Sequence, residues 1–216
     1  MSEPLAGVLA VAAITLGSLH TLAPDHWVPF AALSRAQRWS ASRTAAITAL
    51  CGFGHVTVSV LLGLLALFFG LEMLRALGER MEAVAGLLMI GFGLLYGIWG
   101  LRRAAGARIH GHHHHHYDHV HDPERMTPLA LFLLFSADPC VAVIPILFAA
   151  APLGPLRTTV VVAAYELATI ATMVALVLPA RAAAARVRGH WFSHYGDATA
   201  GAVIAFVGIL VAALGW

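Results

Sequence analysis

The chain has 216 residues, of which 60% are hydrophobic and only 11% are charged, whereas a soluble domain carries roughly 25% charged residues. This composition excludes a soluble domain and predicts an integral membrane protein with one transmembrane domain over residues 1–216, surrounded by the lipid bilayer. The formal net charge is only +2 and the chain has no lysine. It therefore lacks the basic surface that nucleic-acid binding needs, and we expect no nucleic-acid partner.

Six apolar stretches are long enough to cross about 30 Å of hydrocarbon. They cover residues 4–22, 45–70, 83–101, 128–151, 158–180 and 198–216. Asp138 and Glu166 are the only charged residues inside them, and ionisable groups at membrane depth mark functional sites by default. The N-terminal Met-Ser-Glu-Pro lacks the positive region of a cleavable signal peptide, so we expect none.

The arginines predict the orientation, because cytoplasmic loops of membrane proteins are enriched in positive charge. Ten of the thirteen arginines follow spans one, three and five. We therefore expect a protein of the inner (cytoplasmic) membrane with both termini outside and with the loop 102–127 in the cytoplasm.

The two halves of the chain resemble each other at a shift of about 111–115 residues, with Pro24-Asp25 aligned to Pro139-Cys140. Three spans in each half give the halves opposite orientations, which is the inverted-repeat plan of many transporters. We predict an all-α fold of six transmembrane helices, with proline-broken helices one and four. The two inverted three-helix repeats cover residues 1–101 and 128–216.

Spans three and six carry small residues on helix faces, where they let two backbones approach closely. These residues are Gly86, Gly93, Gly97 and Gly100 in span three and Gly201, Ala205, Gly208 and Ala212 in span six. We predict that both spans serve as packing elements.

The stretch from His20 to His26 places two imidazoles and a carboxylate at the end of the first span. Pro24 has no N–H to donate to the carbonyl of His20, so it breaks the helix. The break allows His20, Asp25 and His26 to converge, which an unbroken helix would not. Imidazole and carboxylate groups suit nickel, cobalt, zinc or iron. The alternative is a pair of polar residues that cap a helix end at the membrane interface.

Span two and span four add three candidate ligands. His55 follows two glycines in span two, and its alternative role is that of a buried structural histidine. Asp138 and Cys140 flank Pro139, which frees the carbonyl of Phe135. Cys140 fits a ligand role as well as the role of a small packing residue.

Glu166 in span five needs a cation, a proton or a histidine as its partner at membrane depth. The sequence does not separate a ligand role from a proton-coupling role for this carboxylate. Cys51 and Cys140 both fall inside apolar segments, so they do not form a disulfide framework of the secreted type.

The loop between spans three and four is rich in histidine, and histidine tracts of this kind bind transition metals without needing a fold. Its eight histidines are His110, His112, His113, His114, His115, His116, His119 and His121. A purification tag would lie at a terminus, whereas this tract is internal. We expect the loop to collect metal ions, and a solvated polar linker is the alternative.

These residues resemble a known family. The segment from His20 to His26 fits the H-x4-D-H signature of nickel/cobalt transporters, and Gly54-His55-Val56-Thr57-Val58 resembles the next helix of that family. The short six-span form with a histidine-rich loop is similar to the nickel/cobalt efflux and urease-accessory membrane proteins of the lysine-exporter superfamily. The resemblance implies metal-handling roles for His20, Asp25, His26 and His55, although its motifs cover only about twenty residues.

A second resemblance concerns span four. Asp138-Pro139-Cys140-Val141, with Pro145, resembles the proline-cysteine segment of membrane thiol-disulfide carriers in the same superfamily. Those carriers need a cysteine at the matching place in each half, whereas Asp25 is the counterpart of Cys140 here. Electron transfer by disulfide exchange is therefore the alternative function.

The sequence thus predicts a permease, and not an enzyme, that moves divalent transition-metal ions, with Ni²⁺ or Co²⁺ favoured over Zn²⁺. These ions would be substrates, and no permanently bound cofactor is expected. A cytoplasmic collecting loop favours efflux, and protonation of the site histidines offers proton coupling. The predicted transport site comprises His20, Asp25, His26, His55, Asp138, Cys140 and Glu166. A metal-delivery protein without transport is a third option, and a homo-oligomer is left open.

Overall fold

The computed structural model describes residues 2–69, 71–109, 123–138, 140, 142–186 and 194–214. Within these ranges the chain forms helices and connecting turns without a β-strand. The α-helices are α1 Ser2–His20, α2 Val28–Ala36, α3 Ala41–Phe69, α4 Leu71–Ile109, α5 Pro123–Ser136, α6 Val143–Ala150, α7 Pro155–Arg186 and α8 Gly196–Leu214. Two short 3-10 turns, Pro24–His26 and Ala151–Leu153, follow α1 and α6.

Five segments of these helices are long and apolar enough to cross a bilayer. They are Glu3–His20, Ala41–Leu67, Val84–Gly106, Pro155–Arg186 and Gly196–Ala213. Large apolar side chains such as Val8, Leu95 and Leu167 are exposed on the outside of the bundle, where lipid tails replace the water that would disfavour them. The all-helical fold and the integral membrane location that the sequence predicts are therefore confirmed.

The fourth predicted span, residues 128–151, differs from a continuous helix. It consists of α5 and the short helix α6, with Cys140 in the break between them. Pro139 has no N–H to continue the helical ladder across this break. Helices of 14 and 8 residues are each too short to cross about 30 Å of hydrocarbon. The described residues therefore contain five continuous candidate spans where the sequence predicted six.

Helix α4 is longer than the predicted third span. The segment 71–82, expected as a linker, continues the helix through to Ile109. Its sequence is rich in Leu, Met, Glu, Arg and Ala, which are strong helix formers even where they are too polar to lie in hydrocarbon. A count of apolar residues alone misses this extension.

Helices α4 and α8 pack backbone against backbone through their small residues, as predicted for packing elements. A Cβ atom on Gly93 would lie 2.7 Å from the carbonyl oxygen of Gly201, and one on Gly86 would lie 3.0 Å from the Cβ of Ala212. Only glycine leaves room for this approach. We call this contact the α4–α8 interface.

Polar contacts join three segments at one end of the bundle. Arg181 donates two hydrogen bonds, of 2.6 and 3.0 Å, to the carbonyl oxygen of Trp39 in the α2–α3 turn. Asp197 accepts a 2.8 Å hydrogen bond from Tyr96 and lies 3.3 Å from Arg103. At the other end, Arg157 pairs with Glu3 at 2.8 Å. The arginine-rich segments that follow the first, third and fifth predicted spans therefore lie together.

Candidate functional site

Two interruptions of the helical ladder meet in the interior of the bundle. The first lies between α1 and α2, where α1 ends at His20 and the 3-10 turn begins at Pro24. The second lies between α5 and α6 and contains Cys140. The predicted break at Pro24 is present, although the carbonyl of His20 is not left free, since it accepts a 3.2 Å hydrogen bond from the N–H of Ala23.

The break at Pro24 brings three imidazoles together. The ring centroids of His20 and His26 are 4.4 Å apart, and those of His26 and His55 are 5.2 Å apart. The rings of His20 and His55 are parallel with centroids 6.3 Å apart. Residues on α1, on the 3-10 turn and on α3 thus converge as the sequence predicted. His26 and His55 are almost fully buried.

His55 is held in one orientation by the second break. Its Nδ1 lies 3.1 Å from the carbonyl oxygen of Phe135, at the end of α5. Because a carbonyl can only accept, Nδ1 carries the proton and the neutral ring has its lone pair on Nε2. That nitrogen is buried and has no hydrogen-bond partner among the described residues. The carbonyl that Pro139 was predicted to free is not left without a partner, since it accepts a 3.4 Å hydrogen bond from the N–H of Asp138, and the same carbonyl orients His55.

Cys140 lies at the centre of the site. Its Sγ is 2.8 Å from the phenolic oxygen of Tyr165 on α7, and its N–H donates a 2.6 Å hydrogen bond to Oγ of Ser59 on α3. The sulfur and one nitrogen each of His20 and His55 all lie within 4.8 Å of one another. A thiol, a phenol and two imidazoles thus lie close together, with Cys140 and His55 buried and His20 partly buried.

Ser59 connects the break to α3. Its hydroxyl donates a 2.6 Å hydrogen bond to the carbonyl of His55 and accepts the N–H of Cys140. Replacing Ser59 with alanine leaves that buried N–H without a partner, which costs about 1–3 kcal/mol. We expect Ser59→Ala to lower the free energy of unfolding in detergent by this amount. The exposed Ser42→Ala in the same helix is the control, and equal stability of the two variants would contradict the contact.

The two aspartates lie beside the histidines. Asp25 Oδ2 is 3.0 Å from Nδ1 of His26, and both side chains are buried. Asp138 is close enough to interact electrostatically with His55, Asp25, His26 and His20. Both carboxylates thus lie in the same part of the bundle as the imidazoles.

Glu166 does not join this cluster through any contact that the structure describes. It is half-buried, and Oε1 lies 3.5 Å from the hydroxyl of Thr57. Neighbouring residues on a helix point about 100° apart, so when Tyr165 faces Cys140, Glu166 is turned away from it. Among the described residues the hydroxyl of Thr57 is a hydrogen-bond partner of this carboxylate, and the predicted role of Glu166 as a ligand or a proton carrier stays a prediction.

Two further groups of residues lie apart from the site. The eight loop histidines at positions 110, 112–116, 119 and 121 fall outside the described residues. Cys51 is a free, buried thiol that packs with Phe30, Met173 and other members of one core cluster. Cys140 is also free and belongs to a different core cluster.

Tyr165 is a side chain of the candidate site that the sequence analysis missed. It lies on the buried stripe of α7, where residues at intervals of four face inward. The stripe consists of Val161, Tyr165, Thr169, Met173 and Val177. The phenol on this buried stripe was the available signal, because a buried phenol normally finds a hydrogen-bond partner. The sequence pattern pointed to Glu166, one position later, because that residue is charged.

A comparison with protein families matches residues 27–210 to the cytochrome c biogenesis protein transmembrane region. No curated protein and no solved structure matches the chain. The match includes His55, Cys140 and Tyr165, whereas His20, Asp25 and His26 precede it.

This match corrects two predictions from the sequence. The resemblance to nickel/cobalt transporters is wrong, because it depended on about twenty residues, whereas the matched family accounts for most of the chain. Transport of divalent metal ions, which followed from that resemblance, is wrong with it. Buried histidines and a carboxylate beside a proline break can surround a thiol as well as a transported ion. The chain belongs to the cytochrome c biogenesis protein transmembrane region family.

Proposed function

We propose that the protein carries reducing equivalents across the membrane by thiol-disulfide exchange, with Cys140 as the reacting thiol. The observation that carries this proposal is the environment of Cys140 within the matched family region. Its sulfur lies in a helix break beside a phenol and two imidazoles. The thiolate is the nucleophile in exchange, and the imidazoles of His20 and His55 are the neighbouring bases that can accept the thiol proton and return it.

One cysteine in the membrane is enough for an exchange in which atoms and electrons balance. The Cys140 thiolate attacks the disulfide of an acceptor protein, which gives a mixed disulfide and one acceptor thiolate. A thiolate of a donor dithiol protein then attacks Cys140 sulfur and releases the second acceptor thiolate. The second donor thiolate attacks the remaining mixed disulfide and frees Cys140. The net result is one oxidised donor and one reduced acceptor.

The position of Cys51 supports this scheme over an internal disulfide. Ser59, which binds the N–H of Cys140, lies eight residues beyond Cys51, or roughly 12 Å along a helix axis. Disulfides join residues whose Cα atoms are within about 7 Å. The two thiols pack in different core clusters. A disulfide between them would therefore require the segment around Cys140 to move along α3 toward Cys51.

We infer that the fold is a pair of inverted repeats, with the broken pair α5 and α6 acting together as a sixth span. A helix, a break, a short helix and a long helix occur in this order twice among the described residues, as α1 to α3 and as α5 to α7. This order supports the proposal. In such folds the site lies at the interface of the repeats, where α3, α7 and the breaks meet.

We also propose that both termini lie outside and that the loop 102–127 is cytoplasmic. Support comes from the polar contacts at one end of the bundle, where Trp39, Arg103 and Arg181 lie together. A single arginine-rich end is what the enrichment of cytoplasmic loops in positive charge predicts.

Transfer across vesicles tests the proposed function. Proteoliposomes containing the purified full chain, with metal removed by a chelator, enclose an oxidised dithiol protein and face a reduced dithiol protein outside. We expect the enclosed disulfide to be reduced faster than in protein-free vesicles of the same lipid. Equal rates in the two preparations would contradict the function.

A further inference from the structure

We propose that His20, His55 and Cys140 form a binding site for a zinc ion that stays with the protein as a resident ion and is not a transported one. The proposal goes beyond thiol exchange, since binding does not depend on it. Its consequence for regulation, which follows below, rests on the proposed function. The argument starts from the ligand atoms and ends with the choice of ion.

The ligand atoms are already close together. The Cys140 sulfur and one nitrogen of each of the two histidines lie within 4.8 Å of one another. Zinc bonds of about 2.0–2.1 Å to nitrogen and 2.3 Å to sulfur place tetrahedral ligand atoms roughly 3.3–3.6 Å apart. The side chains therefore need to approach by about 1 Å, which small rotations at their side-chain bonds provide.

His26 is not among the three residues whose ligand atoms lie within 4.8 Å of one another, so its side chain would have to turn toward them to supply a fourth ligand. Its ring lies beside both other imidazoles, and its buried Nε2 has no hydrogen-bond partner within the described part of the chain. Three nitrogens and one sulfur complete the four-coordinate shell that is typical of zinc sites without an open position.

The surroundings orient these ligands as in metal sites. Histidine ligands nearly always donate their other ring N–H to a carbonyl or carboxylate. Nδ1 of His55 donates to the carbonyl of Phe135 at 3.1 Å, and Nδ1 of His26 lies 3.0 Å from Asp25 Oδ2. His55 is thus held with Nε2 available, whereas Nδ1 of His26 has the Asp25 carboxylate close by without a hydrogen bond among the described residues.

Charge and donor type favour zinc. A thiolate and imidazoles together suit zinc, whereas magnesium and calcium prefer oxygen ligands. A dication also offsets the charge of the thiolate and of the adjacent Asp25 carboxylate, which would otherwise be costly in a buried site. No oxidant or reductant is needed, because zinc has no redox chemistry.

Bound zinc would hold the sulfur that performs thiol exchange. A coordinated thiolate has its lone pair on the ion, so it cannot attack a disulfide while zinc is bound. We therefore expect zinc to stop transfer in the vesicle assay and a chelator to restore it.

Cobalt substitution tests the site directly. The purified full chain in detergent is titrated with Co²⁺ without oxygen, and a sulfur-to-cobalt charge-transfer band in the near ultraviolet is recorded. Cobalt on the loop histidines gives no such band, because residues 102–127 contain no cysteine. We expect the band in the wild type and in Cys51→Ala, its loss in Cys140→Ala, and displacement by zinc.

An Asp25→Asn variant separates positioning from folding. It is expected to keep the band at saturating cobalt but to bind Co²⁺ about 10–100-fold more weakly, because His26 loses its orienting carboxylate. The proposal is overturned if the folded wild type shows no band, or if the band survives in Cys140→Ala or disappears in Cys51→Ala. A band without transfer in metal-free vesicles would keep the site and remove the proposed function, whereas transfer without a band would do the reverse.

Discussion

Replacing Cys140 with serine is expected to abolish protein-dependent reduction of the enclosed disulfide. A serine hydroxyl keeps the size of the side chain and can still contact Tyr165, whose phenol lies 2.8 Å from the native sulfur. It cannot form a mixed disulfide, so every step of exchange is lost. The measurement is the initial rate of reduction in vesicles, with the melting temperature in detergent as a check that the variant folds.

Cys51→Ala is the matched control for this loss. Cys51 is equally buried, at 1% exposed, but it packs away from the histidines in another core cluster. We expect this variant to keep the wild-type rate, because the donor and acceptor proteins supply the other thiols. A rate as low as that of Cys140→Ser would show that exchange passes through an internal disulfide and would contradict the single-thiol scheme.

The second large effect is expected at the α4–α8 interface. A Cβ on Gly93 would lie 2.7 Å from the carbonyl oxygen of Gly201 and 2.8 Å from Cα of Ala205. Both are backbone atoms, so α4 and α8 must separate to admit the methyl group. Overpacking of this kind costs about 1–3 kcal/mol. We expect Gly93→Ala to lower the melting temperature in detergent clearly.

Gly91, two residues away on the same helix, is the control. No atom lies within 4 Å of a Cβ built there, among the residues that the structure describes. Alanine is the better helix former by about 1 kcal/mol, so Gly91→Ala should raise the melting temperature slightly. A Gly93→Ala variant as stable as Gly91→Ala would mean that the two helices are farther apart than described.

Features encoded by local chemistry could be predicted from the sequence. Proline lacks the N–H that a helix needs, which predicted the break at Pro24 and the division around Cys140, although Pro128 and Pro179 lie inside α5 and α7. Small residues at helical spacing indicated the packing of α4 and α8. The convergence of His20, Asp25 and His26 was predicted from the break, since a turn releases side chains from the helical spacing of 100°.

Features that depend on contacts between distant segments could not be predicted in the same way. The hydrogen bond between Cys140 and Tyr165 joins a break to the middle of α7, and the sequence marks neither residue as a partner of the other. Glu166 carries a charge and so looked functional, yet its contact is the hydroxyl of Thr57. Function was misassigned because histidines beside a proline break are compatible with an ion path and with a thiol site.

The α4–α8 interface also has a mechanical consequence. Because backbone meets backbone along these two helices, neither can rotate or slide past the other without a clash. The two helices should therefore behave as one rigid unit within the bundle. Helices α1 and α5 end, and α6 begins, at the two breaks near Cys140. These helices can therefore hinge at the breaks. We expect α1, α5 and α6 to move relative to α4 and α8 when partner proteins gain access to Cys140.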